Sequence, residues 1–80
     1  MDLEKIKIMI EQGLKGASAS VVGDGRHFEA VIICDAFDGK SMVEQHQMVY
    51  QALGENMEEA IHALSMRTLT RAQYEQQQAG

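Results

Sequence analysis

Leu3, Ile6, Ile10 and Leu14 recur at three- and four-residue spacing, the apolar stripe of an amphipathic helix. Asp2 is placed to cap its start. Glu11 stands four residues from both Lys7 and Lys15, and Gly13 and Gly16 mark the exit. From Ala17 to Val22 small apolar and polar residues alternate, as on a half-buried strand. Gly23-Asp24-Gly25 supplies the chemistry of a reversal. Beyond it, Phe28, Ala30, Ile32 and Cys34 fall on one face of a second strand, and His27, Glu29, Val31, Ile33 and Asp35 on the other. The pattern predicts a hairpin.

Ser41-Met42-Val43-Glu44 fits a capping box, in which serine and glutamate satisfy each other's orphan amides at a helix start. The stripe Met42, His46, Val49, Tyr50, Leu53 carries that helix to Gly54. Glu55–Glu59 has room for one extra turn, Ile61–Thr68 reads as a third strand, and Thr70-Arg71-Ala72-Gln73 resembles another capping box. The polar residues Glu75–Gly80 read as a frayed tail of one domain over residues 1–80. The order is α-β-β-α-β-α. A strand–helix–strand crossover favours a right-handed parallel pairing, and the hairpin adds an antiparallel edge. The expected fold is a small α+β sandwich with a three-stranded mixed sheet and its helices on one face, the type II KH-like topology. Topology alone does not assign a function.

The chain has 80 residues and 8.9 kDa, enough for one modest core. Apolar residues at 45% and charged residues at 24% are ordinary globular proportions. No apolar run approaches the ~18 residues of a membrane span, no leader pattern is read, and one cysteine forms no internal disulfide. The expectation is a soluble, cytoplasmic protein without a membrane partner. Twelve acids against seven bases give a net charge of −5, a poor start for binding phosphate-rich nucleic acid.

Several blocks together resemble one family. Gly23-Asp24-Gly25-Arg26-His27-Phe28, Phe37-Asp38-Gly39-Lys40-Ser41, His46 to Tyr50 with Leu53, and Ile61-His62-Ala63-Leu64-Ser65 are similar, in order and spacing, to a BolA family protein. The Gly-Asp-Gly-x-His-Phe turn resembles the IbaG-like branch. The likeness runs from residue 2 to about residue 74. Gln45 stands where many members have arginine, Arg71 where proline is common, and Tyr74 where tryptophan is common. The resemblance implies a monothiol glutaredoxin partner and a shared [2Fe-2S] cluster, with the glutaredoxin cysteine and glutathione giving sulfur ligands. It also implies that His62 is a ligand and that His27 adds a second. No cluster is expected in the isolated protein. Iron homeostasis, stress response and transcriptional regulation are the roles the resemblance brings with it.

Read from the residues alone, His62 is either a half-buried histidine bonded to backbone or a metal ligand; the family likeness favours the ligand, since imidazole suits iron. His27 is either an exposed strand-end residue or a ligand. The two stand at the beginnings of strands two and three, which a parallel pairing sets at one end of the sheet, ~4.8 Å apart from strand to strand. Strand parity places them on opposite faces, so they converge only if His27 belongs to the loop, where Gly25 gives freedom. Cys34 is rejected as a ligand. It follows His27 by seven residues, which is ~23 Å of extended strand, and it shares the face of Phe28, Ala30 and Ile32. His46 falls on a helix stripe and reads as a packed residue.

Gly13-Leu14-Lys15-Gly16 matches the GxxG of nucleic-acid-binding KH domains, but it leads into a strand rather than joining two helices. Gly39-Lys40-Ser41 lacks the upstream glycine of a phosphate-binding loop, since Cys34 stands there. No serine has a histidine beside it in a recognisable motif and no acids are paired, so the chain reads as a non-enzyme. The leading expectation is an adaptor that donates histidine to a glutaredoxin-bound cluster. The alternative is a nucleic-acid-binding transcriptional regulator acting through its KH-like surface, with Lys40, Arg67 and Arg71 as phosphate contacts. A homodimer and DNA are further candidate partners.

Overall fold

The first apolar stripe forms α1, Leu3–Gly13, with Ile6 and Ile10 buried and Leu14 just beyond its end. The structure is a computed structural model, and it describes residues 3–24, 26–54 and 64–79. After α1 come β1, Ser18–Gly23, and β2, Phe28–Ile33. A 3-10 turn at Asp35–Phe37 leads to α2, Met42–Leu53; β3, Leu64–Leu69, and α3, Arg71–Ala79, complete the described elements. The sheet order is β1-β2-β3, antiparallel between β1 and β2 and parallel between β2 and β3. This is the α+β architecture expected from the element order. Asp2, the Glu55–Glu59 turn, and Ile61, His62 and Ala63 of the expected third strand lie outside the described residues.

Strand alternation builds the core. Ala19, Phe28, Ala30 and Ile32 turn one face of the sheet toward Ile6 and Ile10 of α1 and Val49 and Leu53 of α2. Phe37 is fully buried although it lies in the short turn. The helix starts follow their sequence signals. Ser41 Oγ accepts from the Glu44 N–H at 3.1 Å while Glu44 Oε1 accepts from the Ser41 N–H at 2.9 Å. Thr70 and Gln73 make the same reciprocal pair at α3. Gly54, at φ +72°, ends α2 with its N–H on the Tyr50 carbonyl.

Two expectations are corrected. The stripe read for α2 is rotated: Met42 is 70% exposed and Tyr50 36% exposed. The face that packs is Val49 and Leu53 with Met48 and Ala52 beside them. The cause is the close crossing of α1, where a β-carbon on Gly13 would lie 2.5 Å from Ala52 Cβ. That approach turns the Ala52 side inward and leaves Met42 and Tyr50 out. The residues read as a frayed tail are helical to Ala79, though none of α3 is fully buried. The Thr70–Gln73 box starts that helix, and Arg67 Nη2 donates to Gln77 Oε1 at 3.1 Å near its end.

Candidate functional site

The β1–β2 hairpin closes on Asp24. Its N–H donates to the His27 carbonyl at 3.2 Å, and its Oδ1 accepts from the N–H groups of Arg26 and His27, both at 2.9 Å. These amides, His27 first, hold the Asp24 carboxyl below the usual carboxylate range. Asp24 therefore shapes the loop, a role not read from the sequence although the Asp-Gly pair marks a turn there. His27 lies one residue before β2 and is exposed. Its backbone N–H and carbonyl hold the loop, and its side chain is not among the groups that do so. It borders a shallow depression of about 330 Å³ with Val22, Gly23, Asp24 and Glu29.

Phe28 pairs with Leu64, so β2 and β3 begin at the same end of the sheet. His27 belongs to the loop, which removes the parity conflict raised by a strand assignment. His62, two residues before Leu64 in the sequence, lies outside the described residues. Cys34 is 2% exposed in the core, with its Sγ 3.7 Å from the Lys15 carbonyl. His46 is half-buried on α2. Among the described residues, no three His, Cys, Asp or Glu side chains gather as a metal-holding group.

The cations of the alternative reading stand elsewhere. Arg67 is tied to Gln77, and its partner across the parallel pairing is Val31. Arg71 opens α3 and donates its backbone N–H to Asp35 Oδ1 at 3.1 Å, a bond that a proline there would lack. Lys40 precedes the Ser41 cap. The Gly13–Gly16 segment runs between α1 and β1 and joins no second helix. Gln45, another of the three departures, ties α2 to the Phe37 turn, the Lys40 loop and β3. Its Nε2 donates to the Phe37 and Lys40 carbonyls at 3.1 and 3.0 Å, and its Oε1 accepts from Thr68 Oγ1 at 2.5 Å. No described helix is long and apolar enough to cross a membrane.

Comparison with known proteins agrees with this arrangement. The chain is 33% identical over 75 residues to the acid stress protein IbaG of Escherichia coli, covering 92% of this chain and 89% of that protein. It is 34% identical over 53 residues to the DNA-binding transcriptional regulator BolA of the same species, covering 66% of this chain and 50% of the regulator's length. Among solved structures, a bolA protein homologue from Coxiella burnetii superposes with a TM-score of 0.83 at 45% identity, covering 94% of this chain and 97% of that one. The family model described as BolA-like protein matches residues 3–73. The chain belongs to the BolA-like protein family.

Proposed function

We propose that this chain is an adaptor that binds a monothiol glutaredoxin and supplies His62 and His27 to a [2Fe-2S] cluster shared with glutaredoxin and glutathione. The observation that carries the reading is the placement of His27. It stands exposed on a loop shaped by Asp24, at the end of the sheet where β2 and β3 begin side by side. The donor set fits a partial share of such a group. An exposed imidazole suits iron, whereas Cys34 is buried in the core. A cluster bound here supplies one-electron chemistry, at a potential that imidazole ligation raises relative to all-thiolate coordination. The thiolates come from the partner. The protein's own task is ligand donation rather than catalysis, in a cytoplasmic setting of iron homeostasis and stress response.

Co-expression with a monothiol glutaredoxin, followed by a visible absorption spectrum, tests this reading. A coloured heterodimer is expected, with none from the chain alone. His62→Ala is expected to weaken the cluster more than His27→Ala. Ligation requires neutral imidazole, so the cluster is expected to be lost as pH falls, with a step in the wild type that His62→Ala lacks. Identical titrations and cluster lifetimes would assign the ligation elsewhere. The competing reading, a regulator touching DNA through a KH-like surface with Lys40, Arg67 and Arg71, is supported by the KH-like topology and by the name of one relative, a DNA-binding transcriptional regulator. The net charge of −5 and the misplaced GxxG weigh against it. Salt-sensitive DNA binding lost on substituting those three cations, without cluster formation, is the outcome that would favour it.

A further inference from the structure

β1 is the outer strand on the hairpin side of the sheet, and one described side chain, that of Glu11, bonds to its outer edge. In the antiparallel pairing with β2, Ser18, Ser20 and Val22 lie opposite Ile33, Val31 and Glu29. The next rung in the same alternation is the bond from the Asp24 N–H to the His27 carbonyl. The hydrogen-bonded rungs therefore fall on even-numbered residues of β1, and the N–H and C=O groups of Ala19, Val21 and Gly23 point away from β2. The Ala19 N–H bears this out by donating to Glu11 Oε2 at 3.0 Å, while Glu11 Oε1 holds the Lys7 ammonium at 3.1 Å. Outer strands ordinarily carry charge or proline against chance pairing. Ser18–Gly23 carries neither. The charge that meets this edge reaches it from α1.

We propose that Glu11 guards the β1 edge, and that withdrawing its carboxylate opens the edge to antiparallel pairing with β1 of a second copy of this chain. A two-fold axis through Val21 sets Val21 against its own copy and Ala19 against Gly23, the residues whose backbone N–H and C=O groups point away from β2. Such a seam offers six backbone bonds, two of them donated by the Ala19 N–H groups that Glu11 holds. The occupant follows from charge and size. Two copies at −5 each repel over most of their surfaces, whereas β1 contains no charged residue and meets itself without opposition. Ala19 and Gly23 leave little bulk between the paired strands. The seam is well short of the ~1,000 Å² of a lasting interface, so association is weak and two bonds decide it. This inference stands apart from cluster binding.

Sedimentation equilibrium over a concentration series, with amide exchange at Val21, tests it. Glu11→Met keeps the helix propensity and the stem of residue 11 but has no oxygen acceptor; Glu11→Gln keeps an acceptor. Wild type and Glu11→Gln are expected to remain monomeric. Glu11→Met is expected to self-associate roughly tenfold or more tightly, with slowed exchange at Val21. Adding Ser20→Lys, which sets two ammonium groups diagonally across the seam, is expected to return it to monomer. A folded Glu11→Met variant as monomeric as wild type would overturn the proposal. So would association indifferent to Ser20→Lys, an unprotected Val21 amide in the dimer, or a Glu11→Gln variant that pairs as Glu11→Met does. Should Glu11→Met fail to fold, Glu11→Ala is judged by the same outcomes.

Discussion

Gly13→Ala perturbs a place where α1 and α2 approach each other at backbone distance. The added β-carbon would stand 2.5 Å from Ala52 Cβ, 2.7 Å from Ala52 Cα and 3.2 Å from the Ala52 carbonyl oxygen. Carbon–carbon approaches are comfortable from about 3.5 Å, so roughly 1 Å of separation must be found. Two of the three atoms are backbone, and the third is a β-carbon fixed to it, so no rotamer change relieves the clash. The helices must part, which loosens Ile10, Val49 and Leu53 together. Overpacking of this kind costs about 1–3 kcal/mol, and replacing a helical glycine by alanine returns about 0.5–1 kcal/mol. The net loss is about 0–2.5 kcal/mol, centred near 1 kcal/mol, against a total of roughly 4–12 kcal/mol for a domain of this size. At the centre of that range the melting temperature falls by about 4–8 °C. Thermal and urea unfolding followed by circular dichroism give the measurement. Adding Ala52→Gly removes the clash between the two β-carbons but leaves the backbone of residue 52 crowding the new methyl, so partial recovery is expected. A Gly13→Ala protein that melts at or above the wild-type temperature would refute the reasoning.

Other expectations follow from single interactions. Cys34→Ser puts a hydroxyl into a site 2% exposed and is expected to lower stability by about 1–3 kcal/mol while leaving the cluster spectrum with glutaredoxin unchanged; equal loss of colour would make Cys34 a ligand. Ser41→Ala removes the acceptor for the Glu44 N–H, and urea unfolding should show a loss of about 1 kcal/mol. The Ala19 N–H and the Lys7 ammonium hold the Glu11 carboxyl below its usual range. Its stabilisation is therefore complete above the unfolded-state value and is lost as pH falls through the lower folded one. Glu11→Gln should be less stable near neutrality with a shallower acid limb, the two urea-derived curves converging once pH falls below the lowered folded-state value. Parallel curves would show that the carboxylate contributes nothing.

The sequence alone carried most of the local structure because its signals are short-range. The Leu3–Leu14 stripe, the Ser41–Glu44 and Thr70–Gln73 boxes, the Asp24 turn and the Phe28–Cys34 alternation each act within a few residues, and each reappears in the fold. The same alternation ruled Cys34 out as a ligand and raised the parity conflict over His27. Other features depended on chain segments far apart. Met42, Tyr50, Val49 and Leu53 satisfy helical spacing together, and only the crossing of Gly13 against Ala52 decides which of them is buried. Phe37 is buried from a turn that no periodicity marks. Glu11 reads locally as a partner for Lys7, yet its other oxygen holds the Ala19 amide. The loop placement of His27 is likewise a tertiary result. Phe28 finds Leu64 across the parallel pair, β2 starts there, and His27 is left exposed outside the strand. Periodicity specifies which residues share a face, but the partner that covers that face is chosen by packing between segments distant in sequence.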